Sequence, residues 1–361
     1  MSWPSWLPLR ESLRPLTPYG APQVSAAASL NTNENPYSPS PALQKAITDA
    51  VAKVAADLNR YPDRDATALR SKLAAYITEQ SGTQISADNI WAANGSNEII
   101  QSIFLAFAGG AVLGFTPSYS MHPLIAKVTG AEWIDGKRNA DFSLDTSSAI
   151  VEIEKHKPTL TFITTPNNPT GGAITIDEIQ KLADACKAAG GLLVVDEAYA
   201  EFSQEKSGVT LIANNPHVIV IRTMSKAFAF AGARVGYLVS DVAVKDAMMI
   251  VRLPYHLSAL TQAAAQVAID HRPELLGGVA TIIAARESVV KALRDMGLTT
   301  IASSANFVLF TGFKQEAPQL WAALLEKGVL IRDVGLSGYL RVTIGNEAEN
   351  TLFVSALKEL I

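Results

Sequence analysis

The feature that most constrains this chain is a unit that recurs along it: a short apolar, β-branched run, then a polar or ring-bearing cluster, then a helix-period segment. The runs are Ala111 to Phe115, Thr159 to Thr164, Gly191 to Val195 and Val218 to Ile221. Each is too short for a helix and reads as a strand; Val218 to Ile221 and Gly191 to Val195 are continuous enough in apolar residues to be buried on both faces, and Thr159 to Thr164 is rich in β-formers. Thr175 and Glu178 have capping-box spacing and open a helix to about Ala189. Strand, polar cluster and helix in alternation specify an α/β fold with a doubly wound, mostly parallel sheet.

In such a sheet the crevice beyond the carboxyl ends of the strands is where ligands bind, because loops there stand on a rigid base. The clusters at those ends are Thr116-Pro117-Ser118-Tyr119, the turn Pro166-Asn167-Asn168-Pro169-Thr170-Gly171, Asp196-Glu197-Ala198-Tyr199, and the stretch from Arg222 to Gly236 that contains Lys226. Lys226 is flanked by Thr223 and Ser225, with Arg234 eight residues on. An amine among two hydroxyls and a guanidinium suits a carbonyl cofactor with a phosphate tail. The amine condenses with the aldehyde, and the hydroxyls and forked arginine hold the phosphate. Gly95-Ser96-Asn97 opens a helix running to about Phe107, where free N–H groups and the helix dipole make an anion site. An ordinary N-cap accounts for the same residues. Tyr119 is placed either to stack on a flat heterocycle or to fill the core.

Bulk properties narrow the class of chemistry. Thirty Lys plus Arg against 34 Asp plus Glu, a net charge of -4, give no electrostatic case for nucleic acid or an acidic membrane. The longest apolar run, Ile103 to Phe115, is broken by Gly109-Gly110 and falls short of the roughly 18 residues of a membrane span. The N-terminus lacks the apolar core of a signal peptide, and the single cysteine, Cys186, fits a reducing compartment, so a soluble, cytoplasmic protein is expected. His122, His156, His217, His256 and His271 are scattered, which suits structural roles rather than metal ligation, and no metal site is expected.

Three divisions are expected in the 361 residues. Residues 1–35, punctuated by five prolines, form an irregular arm; 36–253 form the large sheet domain; 254–361, where long helical patterns alternate with short strands, form a smaller C-terminal α+β domain.

The stretch from Arg222 to Gly236 resembles the lysine signature of fold-type I pyridoxal phosphate (PLP) enzymes, with Ala229 and Ala233 where Gly and Leu are common. Leu30-Asn31-Thr32-Asn33-Glu34-Asn35-Pro36-Tyr37 further resembles the motif that opens histidinol-phosphate aminotransferases, with Ser38 where Gly is more usual. The resemblance runs from Tyr19 to Arg341 and implies roles residue by residue. Lys226 carries the cofactor and moves the proton. Asp196 faces its ring nitrogen, Asn168 and Tyr199 donate to its phenolic oxygen, and Tyr119 stacks on the ring. Gly95, Ser96, Asn97, Thr223, Ser225 and Arg234 hold its phosphate. A carboxylate at ~4 Å and an effective dielectric near 20 is worth about 4 kcal/mol, enough to keep a pyridinium protonated. Tyr61, in Asn59-Arg60-Tyr61-Pro62, would cross a homodimer interface to the partner's phosphate site, although alone it reads as a structural turn.

Tyr19 and Asn33 would reach the substrate. Arg341 matches the family's carboxylate-binding arginine, and Arg332 adds a second fork that suits a phosphate dianion. Its plain alternative is a surface pair with Asp333. The resemblance thus implies amino transfer between L-histidinol phosphate and 2-oxoglutarate in histidine biosynthesis. An aromatic aminotransferase and a threonine-phosphate decarboxylase share the scaffold. A PLP-binding regulator would need a DNA-binding module, for which the 35-residue arm leaves no room.

Overall fold

The computed structural model describes residues 3–361; the first two residues of the expected arm lie outside that range. The buried runs become a seven-stranded sheet. In spatial order its strands are Ile90–Ala93, Gly236–Val239, Val218–Thr223, Leu192–Asp196, Leu160–Thr164, Val112–Thr116 and Trp133–Lys137. All neighbours pair in parallel except Gly236–Val239, which is antiparallel to both of its neighbours. The mostly parallel expectation holds.

Burial on both faces explains why these runs are mostly apolar rather than alternating. Val218 and Val220 enter one apolar cluster, with the helices Thr67–Ser81, Ile176–Ala189 and Ala259–Asp270. Ile219 and Ile221 enter another, with the helices Ser96–Phe107, Met121–Thr129 and Val242–Val251. The capping box at the start of Ile176–Ala189 forms as the sequence specifies: Glu178 N–H donates to the Thr175 hydroxyl at 3.3 Å and Thr175 N–H to Glu178 Oε2 at 2.8 Å. The chain leaves Val112–Thr116 outward to Trp133–Lys137, then returns on the other side with Leu160–Thr164. That reversal opens the crevice next to Tyr119 and Asn168.

The third apolar cluster gathers around a four-stranded antiparallel sheet, in the order Arg332–Asp333, Leu340–Thr343, Phe307–Thr311, Thr299–Thr300. Within the arm, Ala28–Ser29 pairs in parallel with Val329–Leu330, which ties the arm to this unit. Packing also bears on the expected boundary at residue 254. Ala265, Ala268 and Ile269 belong to the first cluster, as does Leu275, whereas Val279, Ile282, Val289 and Leu293 of the same 24-residue helix, Arg272–Asp295, belong to the third. We therefore propose that the two domains divide inside that helix.

Candidate active site

A cavity of about 630 Å³ lies where the strand ends, the arm and the small sheet meet. Every residue singled out from the sequence lines it except Gly95 and Tyr61.

At its floor Asp196 is 2% exposed. Its Oδ2 lies 3.1 Å from His122 Nε2, and its Oδ1 accepts the Ala198 N–H at 3.2 Å. Both carboxylate oxygens are thus fixed. Sequence reading passed over His122 as structural; its one signal was its place three residues past Tyr119, on the first turn of the helix Met121–Thr129. The Tyr119 hydroxyl donates to Asn97 Oδ1 at 3.1 Å, and its ring meets His122 edge to face at 5.4 Å. Burial pushes the Tyr119 phenol well above its ordinary range.

Lys226 Nζ donates to the Thr32 carbonyl at 2.8 Å, a contact with the arm that no side-chain motif could announce. Burial lowers its pKa to about 8, and the positive charges of Arg341 and Arg234 act in the same direction against Glu34. The Tyr199 hydroxyl accepts from Asn33 Nδ2 at 2.8 Å, which leaves its own proton free to donate, and its phenol is pushed up to about 12, chiefly by burial.

One corner joins a helix N-terminus to a guanidinium and two hydroxyls. Gly95, at φ +80°, precedes the helix Ser96–Phe107, and a Cβ there would stand 2.6 Å from Arg234 Nη2. A Cβ on Gly236 would stand 2.5 Å from the Ser96 backbone nitrogen. The two glycines let the helix N-terminus, Arg234 and the Thr223–Ser225 pair close together, with Thr223 Oγ1 3.0 Å from Ser225 Oγ.

The opposite wall holds Arg341, whose Nη1 donates to Asn168 Oδ1 at 2.5 Å and Nη2 to the Asn31 carbonyl at 2.7 Å. Its Nε is buried without a partner, and no carboxylate pairs with it among the described residues. Burial draws its pKa down to about 10. Arg332 is its register partner on the adjacent strand and lines the same cavity. Asp333 caps the Gly335 N–H at 2.8 Å, and no ion pair joins it to Arg332 among the described residues. Tyr19 lines the cavity while half exposed. Within one chain Tyr61 lies apart from it, 79% exposed and stacked on Tyr255 at 4.4 Å.

The crevice thus gathers an amine of lowered basicity, a buried carboxylate held at both oxygens, a helix N-terminus beside Arg234, and a buried guanidinium with one unpartnered nitrogen. The chain matches the family model of aminotransferase class I and II over residues 27–357, and it belongs to that family. More particularly, it is 53% identical over 354 residues to the histidinol-phosphate aminotransferase of Mycolicibacterium vanbaalenii, covering 97% of this chain and 95% of that one. Among solved structures it resembles a putative histidinol-phosphate aminotransferase from Erwinia carotovora atroseptica, with TM-score 0.84 and 27% identity over 94% of this chain and 98% of that one. It also resembles the histidinol-phosphate aminotransferase of Sinorhizobium meliloti in complex with pyridoxal-5'-phosphate, with TM-score 0.81 and 25% identity over 93% and 91%.

Proposed function

We propose that this chain is a PLP-dependent histidinol-phosphate aminotransferase, exchanging an amino group between L-histidinol phosphate and 2-oxoglutarate. The observation that carries the reading is Arg341, buried with an unpartnered Nε, with a second arginine, Arg332, beside it as its register partner in the lining of the same cavity. A buried guanidinium without an anion is costly, and two forks suit a phosphate dianion while still accepting the carboxylate of glutamate.

The donor set fits the cofactor. PLP supplies an aldehyde and an electron-withdrawing ring. Asp196, oriented by His122, would face the ring nitrogen. With Asn168 Oδ1 taken by Arg341, its amide Nδ2 is left to donate, alongside the Tyr199 hydroxyl, toward the phenolic oxygen. Tyr119 would cover the ring. The backbone at Gly95, Ser96 and Asn97, with Thr223, Ser225 and Arg234, would hold the phosphate. Lys226 Nζ would take the proton from the amine-bearing carbon of the substrate and deliver it to the cofactor's C4′ carbon, acting as base and then acid, and would carry it the opposite way in the other half of the cycle. Its lowered pKa keeps a neutral fraction of the amine near neutral pH. Tyr19 and Asn33 would help close the cavity over the substrate.

Tyr61 completes the site only in a homodimer. Its exposure, with exposed Leu58 three residues before it and exposed Ile250 and Leu253 just before its stacking partner Tyr255, supports an interface through which it reaches the partner's phosphate cradle. No helix among the described residues is long and apolar enough to cross a membrane. A cytoplasmic location belongs to the proposal, supported by the lone, buried thiol of Cys186.

Purified holoprotein with 2-oxoglutarate and, separately, L-histidinol phosphate, L-phenylalanine and L-threonine O-phosphate tests the reading. Glutamate formation should be fastest with histidinol phosphate. Preference for phenylalanine, or carbon dioxide release from threonine phosphate, would overturn it.

A further inference from the structure

Behind the strands that deliver Asp196 and Lys226 lies a buried charged cluster that no step of the proposed reaction uses. Asp196 and Ile221 are register partners on adjacent parallel strands, so Glu197 and Arg222, the next residue on each, point to the opposite face. Glu197 is 2% exposed and Arg222 1%. Arg222 donates from Nε to Glu197 Oε2 at 2.8 Å, from Nη1 to Glu201 Oε1 at 3.0 Å, and from Nη2 to the Ser207 hydroxyl at 3.0 Å. Glu197 also accepts the Ser207 hydroxyl at 2.7 Å and the Gly208 N–H at 2.6 Å, while the Tyr76 hydroxyl donates to Glu201 Oε1 at 3.2 Å.

Its place along the strands matters more than its strength. The last backbone rung between the two strands runs from Glu197 N–H to the Ile221 carbonyl, at 2.9 Å. Past it the chains part, and Met224 N–H already turns to the Val235 carbonyl, just ahead of the antiparallel strand Gly236–Val239, at 3.0 Å. Asp196 and Lys226 therefore stand where the shared ladder stops. Past that rung no backbone bond holds their separation, whereas the forked, buried side-chain pair at the rung itself can. Stability alone is a poor reason to keep two carboxylates around one guanidinium out of water, since apolar side chains of similar volume often serve as well.

We propose that Glu197 and Arg222 are positioning residues that extend the strand register past its last rung and so fix the Asp196 carboxylate relative to Lys226 Nζ. The inference rests on the aminotransferase reading only for the two groups being held.

The test uses holoenzyme of Glu197→Gln, Arg222→Gln and Arg222→Lys, read by kcat per bound cofactor, KM for the amino donor, and the pH midpoint of the bound cofactor's visible absorbance. Because misplacement of reacting groups acts on the chemical step, kcat should fall about tenfold or more with KM within about twofold. The absorbance midpoint should move by at least about half a pH unit as the Asp196 field shifts. Arg222→Lys, which keeps the charge without the fork, should recover part of the kcat that Arg222→Gln loses. An unmoved midpoint, whatever the loss of activity, makes the cluster purely structural and overturns the inference. Should these variants fail to fold, Tyr76→Phe and Ser207→Ala, each removing one neutral donor, are read the same way, with a smaller midpoint shift expected and none overturning it. A wild-type holoenzyme that forms no glutamate from 2-oxoglutarate with histidinol phosphate would instead defeat the function proposed above.

Discussion

His122 Nε2 stands 3.1 Å from Asp196 Oδ2, with both side chains out of water and the His122 ring edge-on to Tyr119. The Asp196 carboxylate and the Tyr119 ring are therefore braced by the same imidazole. Replacing His122 with Phe keeps the ring volume and strips one oxygen of Asp196 of its partner, at a cost of about 1 to 3 kcal/mol. The affinity of the apoprotein for PLP, followed by fluorescence titration, should fall by roughly tenfold or more.

Lys226→Ala should reduce turnover by at least about a thousandfold, since it removes the group proposed as both covalent anchor and proton carrier. Single-turnover measurements on the reconstituted variant check this, and retained activity would sink the assignment.

The buried amine also sets a pH dependence for the apoprotein. With its pKa lowered to about 8 from 10.5, chiefly by burial, folded Lys226 binds fewer protons than the unfolded chain between those values. Its penalty is full below about pH 8 and fades as pH rises through that window. Lys226→Met should therefore stabilise the apoprotein at pH 7 by on the order of 2 kcal/mol, and by much less at pH 10. Paired thermal melts at the two pH values decide it.

Arg332 and Arg341 should separate by substrate. Arg332→Met removes one fork from a dianion, about 1.5 to 3 kcal/mol or tenfold to a hundredfold in kcat/KM for histidinol phosphate, with glutamate changed by less than about threefold. Arg341→Met should impair both substrates by at least about a hundredfold. Steady-state kinetics on each substrate provide the comparison.

Gly236→Ala should be worse than Gly232→Ala. A Cβ at 236 meets the Ser96 backbone nitrogen at 2.5 Å, whereas at 232 it meets nothing within 4 Å. Overpacking at 236 should cost about 1 to 3 kcal/mol and weaken PLP binding, visible in the thermal midpoint and in the fluorescence titration.

Much of this was legible along the chain because the signals are short-range. Strand runs buried on both faces, the Thr175–Glu178 capping box and the helix start at Ser96 depend on neighbours a few residues away, and each stands where local pattern puts it. The order of polar clusters at successive strand ends similarly brought Tyr119, Asn168, Asp196, Tyr199 and Lys226 to one cavity.

What local pattern could not supply is the identity of partners distant in sequence. His122 meets Asp196 across 74 residues and the Thr32 carbonyl meets Lys226 across 194, and neither pairing leaves a mark in the spacing of either residue. The split of Arg272–Asp295 between two cores is invisible to a helical period that runs unbroken through it. Sequence by itself determined the layered sheet and the chemical types at its strand ends, because alternation and capping are properties of adjacent residues. Only the tertiary structure decided which backbone carbonyl, imidazole or second guanidinium faces each of them, because those contacts exist only once the loops, the arm and the small sheet close over the same crevice.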